Sequence, residues 1–351
     1  MFYLCGMFDG CFILKSLMKL REIKKNNMKN IERKDLQIIS RHSNLSKKGI
    51  KKVLSEVVYN DAESWLKFLR LLFISLGVSF TTAGIIFFFA YNWNDLDKFI
   101  KMGLIEVLIV LTTSTVLFSQ FKLDIKNILL TGASVLVGVL FAVFGQIYQT
   151  GANAYDFFLG WTLCISLWVF VANFPPLWLV YFTLVNTTFV CYSEQISNWS
   201  NHSMFFMQFI LNAFFLLFFI VLKEKVKGLI APTWFLNVLA LATVCCGTMT
   251  CISCFLNNYP DYLGVILFCI FVFYIAGIFY GLAIKSNFYI AIISFSSIVI
   301  ISALLIRIAF DFDHLDLLIP IFLVLSAFIF ISVAAIVYTL IHLQKKWNNG
   351  N

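Results

Sequence analysis

The chain has 351 residues, of which 61% are hydrophobic and only 13% charged, with 40 phenylalanines and a mean hydropathy of +0.89. These values lie outside the soluble globular range and indicate a polytopic membrane protein. The net charge of +8 reads as a topology signal, which makes a nucleic-acid partner unnecessary to explain it.

Met1 to Leu14 is apolar apart from Asp9, but its positive charges follow it and no small-residue cleavage site is evident, so it does not read as a signal peptide. Residues 1–27 read either as a leader ahead of a start at Met18 or Met28, or as a basic tail. Residues 28–67 are expected to form a small cytosolic helical unit. Ile50, Val53, Leu54, Val57 and Val58 repeat with a helical period, and Lys47, Lys48, Lys51 and Lys52 lie off that apolar face. Ile31, Leu36, Ile38 and Ile39 mark a shorter partner helix. Juxtamembrane basic helices ordinarily meet lipid headgroups rather than DNA.

Residues 68–343 carry ten continuous apolar blocks, at 69–91, 101–118, 127–145, 157–173, 176–192, 204–222, 230–256, 262–283, 288–310 and 316–343, with a cytosolic tail at 344–351. A hydrocarbon core of about 30 Å needs roughly 20 helical residues per crossing, and continuous blocks favour helices over alternating strands. The predicted fold class is therefore all-α, a bundle of about ten transmembrane helices. Between the fourth and fifth blocks, Asn173-Phe174-Pro175-Pro176 is either a tight turn between two spans or part of a re-entrant hairpin.

The charges orient this bundle. All of the 26 basic residues except Lys98, Lys101 and Arg307 fall on one side of the ten-helix arrangement, while Asp95, Asp97, Asp156, Glu194, Asp261, Asp311, Asp313 and Asp316 fall on the other. Short cytoplasmic loops retain Lys and Arg, which places both termini in the cytoplasm and requires an even number of crossings. A location in the inner (cytoplasmic) membrane is expected from this reading.

The polar residues that draw attention lie on the opposite, outer side. The first span runs out through Tyr91-Asn92-Trp93-Asn94, and the third ends in the run from Gly145 to Asp156, which contains Gln146, Tyr148, Gln149, Asn153 and Tyr155 and lacks Lys and Arg. Rich in amides, aromatics and glycines, this stretch is expected to make a poor helix and a good lining for a polar recess. The ligand-binding candidates are Asn92, Trp93, Gln146, Tyr148, Gln149, Asn153, Tyr155 and Asp156.

The run from Phe88-Phe89-Ala90-Tyr91-Asn92-Trp93, through Leu136-Val137-Gly138-Val139-Leu140-Phe141-Ala142, to Gly145-Gln146-Ile147-Tyr148-Gln149-Thr150-Gly151-Ala152 and Ala154-Tyr155, resembles the domain of unknown function 2157 family of predicted bacterial membrane proteins. Trp161 and the Leu177-Trp178 pair fit the same pattern, and the likeness covers roughly residues 35 to 190. It implies membrane location and an N-terminal helical unit, and it supplies no catalytic residue. Asn153 stands where the family commonly carries Asp, which keeps hydrogen bonding but removes a charge.

Glu106 near the outer end of the second span and Arg307 near that of the ninth occur at similar depth, so they form a candidate intramembrane ion pair; snorkelling to the interface is the alternative. Cys251-x-x-Cys254 has a spacing that redox or metal chemistry uses, but no second pair accompanies it and buried cysteine behaves as a small hydrophobe. Asp311-x-Asp313-x-x-Asp316 lacks the glycine and distal Glu of a calcium loop. Neither a metal nor a cofactor is expected. Trp161 and Trp168 read as helix-packing residues, and Asn186, Asn212 and Asn237 as sources of interhelical hydrogen bonds.

Transport or binding of an envelope-associated ligand through an outward polar recess is the first reading. A membrane scaffold or sensor signalling through its N-terminal helices is the second, and an envelope lipid-modifying enzyme the third, since no spacing ties Asp95, Asp156, His202 and Asp313 into a catalytic set. The expected partners are the lipid bilayer and another membrane protein or a second copy.

Overall fold

The structure is a computed structural model that describes residues 62–91, 97–148, 151, 153–225, 231–256, 260–311 and 318–349. These residues are almost wholly helical: α1 (Ala62–Tyr91), α2 (Lys98–Phe118), α3 (Leu123–Tyr148), α4 (Ala154–Ala172), α5 (Pro175–Tyr192) with a π turn at Ser193–Ser197, α6 (Asn201–Lys225), α7 (Thr233–Leu256), α8 (Leu263–Ala283), α9 (Asn287–Asp311) and α10 (Leu318–Asn349). All ten predicted blocks are helices. The predicted N-terminal unit lies outside the described residues, apart from 62–67, which begin α1.

Nine of these helices are long and apolar enough to cross a membrane. The exception is α5, 18 residues long and diluted by Pro175, Pro176, Thr183, Asn186, Thr187 and Thr188. Eighteen residues still rise about 27 Å. Its threonines are satisfied within the helix: Thr183, Thr187 and Thr188 each bond the carbonyl four residues back. The turn before it contains only two residues. Asn173 adopts the left-handed conformation (φ 44, ψ 47) and donates its N–H to Val169 O at 3.2 Å, and Pro175 then starts α5 where its missing N–H has no helical partner to lose. Helices α4 and α5 therefore form a tight antiparallel hairpin of two full-length helices.

The chain divides into two compact units, residues 1–83 and 84–351. In the first, the described segment is the opening of α1, where Trp65 meets Phe68 edge to face at 5.8 Å. In the second, the principal helix pairs are α2 with α3, α3 with α4, α4 with α5, α6 with α7, α7 with α9, α8 with α9 and α9 with α10.

Phenylalanine and tryptophan build the centre of the second unit. Trp178 stacks on Phe182 at 5.5 Å and meets Phe219 edge-on at 5.2 Å, while Phe219 meets Phe235 at 5.1 Å. Ile165, Leu177 and Phe235 are fully buried in the same cluster. A second cluster, among α6 to α9, includes Phe209, Cys251, Cys254, Ile266 and Tyr274.

Polar groups inside the bundle pair across helices. The Asn186 and Asn212 amides exchange two hydrogen bonds, Nδ2 of Asn212 to Oδ1 of Asn186 at 2.7 Å and the reverse at 3.1 Å, joining α5 to α6. Ser296 Oγ lies 2.7 Å from Tyr274 OH and 2.6 Å from Thr248 Oγ1, tying α7, α8 and α9. An amide or hydroxyl surrounded by hydrocarbon must find such a partner.

Candidate functional site

The run expected to make a poor helix after the third span is helical at its two ends, 145–148 and 154–156, which corrects that expectation for those residues. Helix α3 continues through Gln146 to Tyr148, and α4 has already begun at Ala154. The start of α4 is held by its own acid: the Asp156 carboxylate accepts the Asn153 N–H at 3.1 Å, and the Asp156 N–H in turn bonds Asn153 O at 3.1 Å. A carboxylate in the first turn also faces the positive end of the helix dipole.

Where α3 and α4 pack, glycines receive aromatic rings. The indole of Trp161 lies directly against Gly138, and a Cβ on Gly145 would stand 2.7 Å from Phe157, as one on Gly160 would stand 2.8 Å from Phe141. The Trp161 Nε1–H donates to Ser134 O at 2.7 Å, which fixes the ring over Gly138. Small residues permit such close approach between membrane helices.

Toward the Gln146 end of this contact a recess of about 370 Å³ remains, lined by Gly138, Phe141, Ala142, Gly145 and Gln146 from α3 and Ala154, Phe157, Phe158 and Trp161 from α4. The lining follows helical spacing on both sides. Positions 138, 141, 142, 145 and 146 share one face of α3, and 154, 157, 158 and 161 share one face of α4. The recess is thus apolar, with the exposed Gln146 as its amide.

The other candidates are dispersed around it. Tyr148 packs on Phe144 at 4.8 Å, one turn back on its own helix. It stands two positions on from Gln146, about 200° around the helix, so the two side chains cannot share a face. Tyr155 is half-buried, packs edge-on against Tyr192 at 5.5 Å, and its N–H donates to Gln195 Oε1 at 3.1 Å. Asn153 and Asp156 are exposed and form the cap. Asn92, Trp93 and Gln149 lie outside the described residues. The expected single polar cluster is therefore one amide at an apolar recess, a cap, and a separate Tyr155–Tyr192–Gln195 contact.

Glu106 is exposed a little over two turns into α2, and Arg307 is half-buried about one turn from the end of α9. The main neighbour of α2 is α3, whereas α9 packs on α7, α8 and α10. Cys251 and Cys254 are free and buried in the cluster with Phe209 and Tyr274. Among the described residues no group of three or more His, Cys, Asp or Glu side chains could hold a metal ion.

Sequence reasoning missed Gln195 and Tyr192, which lie about forty positions from Tyr155 and come to it only through the α4–α5 hairpin and the π turn. The lining of Phe141, Phe157, Phe158 and Trp161 had a signal in the glycine spacing at 138, 145 and 160, since each glycine faces a ring.

Residues 45–178 match the family described as predicted membrane protein (DUF2157), which bears out the resemblance and takes in α1 to α4 with the recess. No curated protein and no solved structure matches the chain.

Proposed function

We infer that the DUF2157 segment of this multi-pass membrane protein binds an envelope-associated amphiphile in the α3–α4 recess, its apolar body against Phe141, Phe157 and Phe158 and a carbonyl or hydroxyl group against Gln146. The recess itself carries this reading. It is concave, largely apolar, and supplied with one amide able both to donate and to accept, the usual make-up of a site for a small amphipathic ligand. It also falls within the matched residues 45–178.

The sorting of Lys and Arg supports an inner-membrane location with both termini cytoplasmic and α5 as a tenth crossing. In that orientation the recess opens toward the outer face. Glu106 and Arg307 belong to the same end of the bundle, and exchanging the two charges tests them as a pair: a direct pair requires the double exchange to restore what each single change removes. A scaffold or sensor role is the second reading. It is favoured by the start of the family match at residue 45, ahead of α1 and continuous with the first spans.

The test is photolabelling of the full chain in liposomes with a diazirine-bearing long-chain alcohol. Label is expected on peptides spanning 138–161. Ala142→Phe fills the recess and should cut labelling severalfold, and Gln146→Ala should weaken it. Tyr148→Ala should leave it unchanged, because that ring rests on Phe144 outside the lining. Undiminished labelling of the Ala142→Phe protein overturns the reading.

A further inference from the structure

A second and larger space lies elsewhere in the molecule and is independent of the recess. Helices α6 and α8 flank a groove of about 760 Å³ whose floor is built by α7, through Ala240 and Val244, and by α9, through Ile292 and Ile293. The arrangement follows from the packing order: α6 lies on α7, α8 lies on α9, and α7 lies on α9. The floor helices touch, while the flanking helices meet through the Phe209 and Phe273 rings, 5.2 Å apart, and leave the rest of the space above the floor open.

The groove has a definite length and two different ends. On α6 its lining runs from Phe209 to Ile220, and on α8 from Phe268 to Tyr280. That is eleven or twelve helical steps, about 17 Å, close to half of a hydrocarbon core of about 30 Å. That is the reach of a single acyl chain, and the groove runs from just past the middle of α6 and of α8 toward their Lys223 and Lys285 ends. Beyond its far end the two flanking helices are tied together, with Tyr262 OH 2.6 Å from Ser203 Oγ and 3.1 Å from His202 Nε2. Its other end leads toward basic residues. Lys223 stands one turn beyond Ile220 on α6, and Lys285 occupies the turn between Tyr280 and Tyr289, both of which line the groove; both lysines are exposed.

We propose that this groove binds one anionic phospholipid, with an acyl chain lying between α6 and α8 and the phosphate headgroup at Lys223 and Lys285. Four observations define the occupant. The space opens beside Phe214, Phe268 and Val272, which are exposed on the outside of a membrane-spanning bundle. Its lining is almost entirely hydrocarbon, which lipid tails match and which gives neither water nor a polar solute a partner. Its length equals one leaflet, the reach of a single chain. Its basic end lies at the depth where a headgroup from that leaflet sits, and lysines near an anionic surface attract it.

The experiment is native mass spectrometry of the full chain, supplied in turn with phosphatidylglycerol and with phosphatidylcholine of identical chains. One phosphatidylglycerol should be retained per protein, with about thirtyfold preference over phosphatidylcholine, as two lysine contacts near the headgroup imply. Replacing both Lys223 and Lys285 by Gln should abolish the preference while leaving chain-dependent retention. Ala213→Phe and, separately, Ala276→Phe fill the groove from opposite walls and should lower retention of both lipids; melting in detergent identifies whichever variant is folded. Three results overturn the proposal: equal retention of the two lipids by the unchanged protein, undiminished retention in a folded groove-filling variant, or a lipid-free dimer showing that a second copy covers the groove.

Discussion

The recess between α3 and α4 and the groove between α6 and α8 are both apolar spaces between membrane helices, yet they arise in opposite ways. At α3–α4, Gly138, Gly145 and Gly160 accept the rings of Trp161, Phe157 and Phe141, so the helices close tightly and leave about 370 Å³ next to one amide. At α6–α8 the helices are held apart by a floor of two others, and about 760 Å³ stays open toward the surrounding lipid. In a bilayer, apolar side chains gain little by leaving lipid for one another, so close approach depends on small residues and shape. Glycine against an aromatic ring makes a closed contact, whereas walls that mix aromatic rings with Ala213, Ala276 and Gly277 leave a gap that lipid can fill.

The largest effect should come from breaking the closed contact. In Gly138→Ala the new methyl meets the Trp161 indole, which its bond to Ser134 O holds in place, so one helix must shift. A loss of about 2–3 kcal/mol, read as a lowered unfolding midpoint in detergent, is expected; an unchanged midpoint would falsify the account of that interface. Next is the polar clamp that the groove side shares with α5. Asn212→Leu removes both halves of the amide exchange with Asn186 and should cost about 1 kcal/mol, with much of the loss recovered when Asn186→Leu is added. A double-mutant cycle without coupling contradicts it.

Trp161→Phe removes the bond to Ser134 O together with the outer edge of the indole that lies on Gly138, and a loss of about 1 kcal/mol should appear in the same melting assay. The smallest effect belongs to the groove. In Gly277→Ala the added Cβ would stand 2.6 Å from Ile293 Cδ1, the far end of a flexible side chain that can rotate away. The helix-propensity gain of about 1 kcal/mol should offset that adjustment, leaving stability unchanged or slightly raised. If Gly138→Ala and Gly277→Ala destabilise equally, the contrast between a closed and an open contact is wrong.

The helices were legible in the sequence because a bilayer imposes a length and a composition on each crossing, and every predicted block lies on a helix. Their ends moved where polar residues continue a helix past its apolar stretch. Helix α10 runs on through Lys345 and Lys346 to Asn349, and α3 runs on through Gln146 to Tyr148. The candidate site was legible only in part. Gln146, Tyr148, Asn153, Tyr155 and Asp156 are neighbours in sequence, but about 100° of rotation per helical residue sends adjacent side chains to different surfaces. Gln146 reaches the recess, Tyr148 turns back to Phe144, and Tyr155 goes to Tyr192.

The sequence by itself determined that this is a multi-pass helical membrane protein and where its helices run, because hydrocarbon length and backbone satisfaction act on each segment alone. It also placed the basic residues on one side of the predicted order. Tertiary structure alone decided that Asn186 pairs with Asn212, that Gln195 reaches Tyr155, and that the expected polar recess is apolar with a single amide. Those outcomes depend on which faces of two helices meet and how closely, and that is set by small residues and ring shapes from distant parts of the chain acting together.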